Sequence, residues 1–182
     1  MSNISSTSEM LALLKDIQQR SQQSAAKLSQ QDDLHGAWTA IGFRIAEKHF
    51  LVPLGETREV FTVPSQITAV PKSEPWVYGI ANLRGELLPL FDLKYFLYGT
   101  ATKVNKRSRI VVNNHPDLYS GLLLDEVFGL KHFQKEPEYT EDLSDGAVSA
   151  YITGSIAQKD MHWNVFSFNK LATDFRFLNA AA

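Results

Sequence analysis

Seven prolines, at positions 53, 64, 71, 75, 89, 116 and 137, break up the body of this chain so regularly that no long helix fits between them and the apolar patterns they interrupt. What remains has a period of two. Trp38, Ala40, Phe43 and Ile45 alternate with polar or small residues, and Phe50, Val52 and Leu54 resume the alternation after Glu47-Lys48, as two strands of a hairpin do. Further strand-like runs span 59–63, 79–83, 87–91, 109–112, 119–124, 151–156 and 163–168, with brief helices expected at 92–98 and 169–175. Many short strands separated by turn residues predict an all-β sandwich or barrel.

Residues 1 to about 35 are different in kind: rich in Ser and Gln, and without an aromatic residue. Ser6 and Glu9 have the spacing of a capping box, and Met10, Leu14 and Ile17 share one face of the helix it would start, but the stripe fades by Ser21 and Ser24. The segment reads as an appendage, a partly helical or disordered tail that docks on its own domain or binds a partner. The polar, basic stretch 99–108 reads as a connector between two β-subdomains, at about 36–98 and 106–180, with exchange of strands between them allowed.

Composition removes much enzymology. The chain has no cysteine, which excludes disulfides, thiol nucleophiles and thiolate metal sites and fits a reducing compartment. A formal charge of −2 gives no general attraction for phosphates. The basic cluster Lys103, Lys106, Arg107 and Arg109 has no interleaved aromatic residue to stack on bases and reads as a solvated loop. His35, His49, His115, His132 and His162 are too scattered for zinc ligation. The acidic pairs Asp32-Asp33, Asp125-Glu126 and Glu141-Asp142 read as solvated charge rather than as acid and base partners. No nucleophile elbow and no phosphate loop is present, and Gly79 and Gly85 bracket a strand instead of opening a helix. No enzyme activity, cofactor or metal is therefore expected. No apolar run approaches the ~20 residues of a membrane helix, and the N-terminus has no basic-then-apolar signal, so cytoplasmic residence without direct membrane insertion is the expectation.

Residues 75–93 carry the sharpest signal: a strand ending in Asn82-Leu83-Arg84-Gly85, a tight turn, a second strand, then Asp92-Leu93 opening a short helix. Gly85 permits a turn with positive φ, and Ile80 and Leu83 differ by three, so a bulge or a doubly buried strand is implied. The segment closely resembles the signature of CheW-like domains, the coupling adapters of bacterial chemosensory arrays. Phe50 to Phe61 is similar to that family's second and third strands, with Glu59 at the place of its acidic residue, and the run from Gly121 to Val127 is similar to its small-aliphatic-acidic segment. The resemblance spans roughly residues 38–175.

The resemblance implies an all-β fold of two intertwined five-stranded SH3-like barrels around a common core, with a few short helices and an N-terminal helical extension. It implies a non-enzymatic scaffold that couples the cytoplasmic tip of a methyl-accepting chemoreceptor, docked between the barrels, to the regulatory domain of a CheA-type histidine kinase. Recruitment to the inner membrane would come through receptor arrays. Thr57, Glu59, Asn82, Leu83, Arg84 and Gly85 are the implied partner-binding residues, with Arg84 and Glu59 near one another, either as exposed surface charges or partly buried together. The roughly 35 residues before Trp38 resemble adapters of type IV pilus systems, which implies control of twitching motility. From the residues alone, a small barrel that binds oligonucleotides or another ligand is the competing reading, with Phe91, Tyr95, Phe96 and Tyr98 its candidate stacking residues.

Overall fold

A computed structural model of the chain describes residues 38–139 and 145–180. The N-terminal segment with its expected helix lies outside the described residues, as do Asp32-Asp33 and Glu141-Asp142. The described residues form ten strands in two five-stranded sheets. The first sheet has the order β8-β1-β2-β10-β9, built from β1 (Trp38–Ile45), β2 (Lys48–Pro53), β8 (Glu126–Phe133), β9 (Ile152–Gln158) and β10 (Met161–Phe166). The second has the order β3-β6-β7-β5-β4, from β3 (Thr57–Thr62), β4 (Val77–Leu83), β5 (Glu86–Asp92), β6 (Arg109–Asn113) and β7 (Gly121–Leu124). Pairing is antiparallel except where β10 meets β2 and β5 meets β7. Three short α-helices, α1 (Leu93–Tyr98), α2 (Phe168–Ala172) and α3 (Phe175–Leu178), and two 3-10 turns, at Leu54–Glu56 and Ser149–Tyr151, complete the set among the described residues.

The second sheet is a continuous stretch of sequence inserted between the N-terminal hairpin and the C-terminal strands of the first. The boundary expected at about 98–106 therefore falls inside one sheet, between β5 and β6. The stretch 99–108 does not join two barrels. It turns the chain after α1, where Gly99 is left-handed at φ 67°, and is pinned by Asp92, whose buried carboxylate caps the helix at Tyr95 N and accepts from the N–H and hydroxyl of Thr102 at 2.7 and 2.8 Å. The strand β8 was not expected. Its bulge at the left-handed Gly129 and its exposed Leu130 and His132 hide the alternation.

Three clusters make the core, and they explain the unusually apolar strands. Ala40, Leu51, Phe133, Trp163 and Val165 cluster on one face of the first sheet. Ala81, Leu88, Leu90, Ile110, Val112 and Leu123 cluster on one face of the second. The largest cluster takes the alternate residues of both sheets: Ile41, Phe43, Phe50, Val52 and Phe166 from one, and Phe91, Val111, Leu122 and Leu124 from the other, with Leu93, Phe168, Leu171 and Phe177 from the helices. Residues 122, 123 and 124 are buried on both faces, so an apolar run, not alternation, marks such a strand. Opposite Gly42/Phe43 and Val165/Phe166 the partner strands β8 and β9 each carry one extra residue, Phe128 and Thr153, and these bulges switch their side chains from one face to the other.

Candidate functional site

The β4–β5 hairpin closes with Leu83 opposite Glu86, leaving Arg84 and Gly85 as a two-residue turn. Both have positive φ, 54° and 87°, the pairing that matches the twist of an antiparallel hairpin. Gly85 takes this conformation without penalty. Arg84 does so against the usual clash of Cβ with the neighbouring peptide, and Asn82 holds the turn by accepting from Gly85 N at 2.9 Å. Arg84 is thus projected from the tip, its side chain 74% exposed.

From there it reaches the opposite edge of the sheet. One guanidinium nitrogen of Arg84 lies 2.7 Å from Glu59 Oε1 on β3, and the guanidinium carbon sits 5.3 Å from the centroid of the Phe61 ring. Because β3 and β4 are the two ends of the strand order, this contact spans the seam that hydrogen bonding leaves open. Leu83 packs half-buried against the same inner cluster as Phe61. The outer edge of β4 is covered by the bridge from Thr68 to Ile80, at 2.8 and 2.9 Å. Gly79 sits inside β4 with φ 142°, and a Cβ there would lie 2.7 Å from the Thr68 carbonyl oxygen. It permits close backbone approach and does not bracket the strand, as the sequence suggested.

The structure brings Glu59, Leu83 and Arg84 into one depression together with Arg58, Phe61, Glu86 and Tyr119. Arg58 stacks 5.3 Å over the Tyr119 ring, and the Tyr119 hydroxyl donates to Glu86 at 2.5 Å, a bond that raises its pKa. A wider open cleft continues past the exposed Leu87 to His115 and Pro116. Thr57 does not line the depression. It caps the turn before β3, its hydroxyl donating to Leu54 O at 2.9 Å. Arg58, Glu86 and Tyr119 were not among the expected site residues: Glu86 stands inside the 75–93 signature with no role assigned to it, and no motif marks Arg58 or Tyr119. The arrangement holds cations over rings, two carboxylates and an exposed leucine, a mixture suited to a protein surface.

Three of the four stacking residues of the competing reading are committed elsewhere. Phe91 is buried against Phe177, and Phe96 packs between Trp76 and Phe177. Tyr98 donates to Asp145 at 2.7 Å.

A model of the CheW-like domain matches residues 39–176. The chain belongs to the CheW-like family. Protein PilI of Pseudomonas aeruginosa is 39% identical over 171 residues, which cover 93% of this chain and 94% of that one. Chemotaxis protein CheW of Helicobacter pylori is 32% identical over 144 residues, 78% of this chain and 86% of its own. The scaffolding protein TtCheW from Thermoanaerobacter tengcongensis has the same fold, with a TM-score of 0.61 at 24% identity over 71% of this chain and 88% of its own. As a CheW-like chain of PilI type, the protein is a scaffold or adapter of chemosensory systems. No helix among the described residues is long and apolar enough to cross a membrane.

Proposed function

We propose that this chain is a non-enzymatic adapter that couples the cytoplasmic tip of a methyl-accepting chemoreceptor to the regulatory domain of a CheA-type histidine kinase. It does so in the cytoplasm, recruited to the inner membrane by the receptor array, and its output is twitching motility through type IV pili. The observation that carries this reading is the exposed turn at Arg84, which the fold holds out in a strained conformation and ties to Glu59. A residue kept in the left-handed region at a surface tip serves presentation more than packing. Glu59, Asn82, Leu83, Arg84 and Gly85 form the kinase-facing end of the second sheet. Thr57, at the start of β3, is a further partner-binding residue in this reading.

The test is binding of the isolated kinase regulatory domain to the wild-type chain and to Arg84→Ala, measured by calorimetry. Micromolar or tighter binding that weakens in the variant supports the reading, and equal binding by both removes Arg84 from the interface. Submicromolar affinity for DNA that falls steeply with salt would favour the oligonucleotide-binding alternative.

A further inference from the structure

The chain passes between the two sheets at Pro53–Thr57 and again at Asp125, a single residue between the end of β7 and the start of β8. A one-residue link has no slack. Asp125 and Glu126, which the sequence alone presents as solvated charge, are drawn inward there: their side chains are 7% and 17% exposed. Asp125 accepts the N–H of Ala46, in the β1–β2 turn, at 2.7 Å and faces Lys94 of α1 at 3.6 Å. Glu126 Oε2 accepts from both Nε and one terminal nitrogen of Arg44 at 3.2 Å, while its other oxygen lies 3.5 Å from Arg107. A third nitrogen of Arg44 donates to Ala46 O at 2.5 Å.

Both polar groups of Ala46 are therefore held by side chains anchored at the crossover. Ala46 is also left-handed, at φ 52°, a conformation that a residue with a Cβ keeps only when its surroundings impose it. The apolar cluster shared by the two sheets draws them together but has no direction, because burial depends on area and not on angle. Hydrogen bonds supply the direction. The first crossover is held in the same way, with Glu56 accepting from the Ser167 hydroxyl and from Asn169 N at the start of α2.

We infer that Asp125 and Glu126 are positioning residues: they clamp the β1–β2 turn to the crossover and so hold the surface between the two sheets in its docking shape. The docking part rests on the reading that a receptor tip binds between the sheets; the clamp itself does not.

The test is amide hydrogen exchange on the full chain, comparing wild type with Glu126→Gln and, as a second variant, Asp125→Asn. Exchange at residues 45–48 should rise on the order of tenfold while β6 and β7 stay protected. Adding Ala46→Gly, which relieves the left-handed strain, should recover part of that protection. Should Asp125→Asn fail to fold, Glu126→Gln alone decides. Unchanged exchange at 45–48, or an equal rise throughout both sheets, overturns the clamp. In parallel, a receptor-tip hairpin should bind Glu126→Gln about threefold or more weakly while the kinase domain binds it as before. A loosened turn with unaltered hairpin affinity overturns the docking part. A wild-type chain that binds no hairpin refutes the functional reading, and the exchange result still decides the clamp.

Discussion

Arg84 and Glu59 meet through one N–H and one oxygen, with the arginine 74% and the glutamate 32% exposed. Screening by water limits such a pair to about 0–1 kcal/mol, far below the roughly 3 kcal/mol of a pair buried together. Arg84→Ala should therefore shift denaturant unfolding by less than about 1 kcal/mol. If the exposed tip is the interface, the same change should weaken kinase-domain binding by about 2 kcal/mol, as central interface arginines do. Arg84→Lys keeps the charge but loses the flat guanidinium over Phe61, and should fall between the two. A double-mutant cycle with Glu59→Ala measures the coupling, and a zero in both assays would dismiss the pair. A second residue-scale prediction concerns Tyr151, whose hydroxyl donates to Asp174 and accepts from Arg176 at 2.9 Å. Burial first, then the bond to Asp174, pushes its pKa up to about 12. Burial and the bond to Asp145 raise Tyr98 as well. A free tyrosine ionises near pH 10, so the stability the Tyr151 proton confers is whole below about pH 10 and is lost as the pH rises through about 12. Melting temperature should drop across that window, and Tyr151→Phe should flatten the drop. Asp174 and Asp145 move the other way. Burial favours their neutral forms but is outweighed by hydrogen bonds from Tyr151 and Arg176 to one, and from Lys48 and Tyr98 to the other. Their contribution is present above the ordinary carboxylate range and disappears as the pH falls below it.

At the scale of elements, glycines test the seams. Gly79→Ala should destabilise by about 2 kcal/mol or more, because the new Cβ collides with the Thr68 backbone and the bridge to Ile80 must open. Gly85→Ala meets no neighbour and pays only for its left-handed turn, about 1–2 kcal/mol. Denaturant unfolding of the two variants should rank them in that order. The strands themselves were largely legible, since nine of the ten produce apolar runs between turn residues, and Asp92 announced α1 by its cap. The β8 strand was not, because an edge strand with a bulged glycine and solvent-facing Leu130 and His132 leaves no period to read. At the site, Asn82 to Gly85 identified the turn. The pairing of Arg84 with Glu59 came from family likeness, and Arg58 and Tyr119 had no sequence signal, because contacts across a curled sheet join residues far apart in the chain. Likewise the burial of Asp125 depends on a crossover that no local pattern encodes. Since the ten strands find their partners among the described residues, deleting residues 1–35 should leave a folded domain. A melting temperature lower by well over about ten degrees would contradict this.

For the whole molecule, the shared core makes the two sheets one cooperative unit. The second sheet is threaded between parts of the first, so the first is not one continuous segment of the sequence. A single core shared by both sheets suits a scaffold. Family membership and fold make the chain a scaffold, and the pairing of partners is the claim that binding must test. The direct measurement is co-sedimentation of the full chain with a receptor-tip hairpin and a kinase regulatory domain from the same cell. All three should sediment together, and Arg84→Ala should lose the kinase domain while retaining the hairpin. A chain that carries neither partner down, under conditions where its fold is intact, would contradict the pairing of partners.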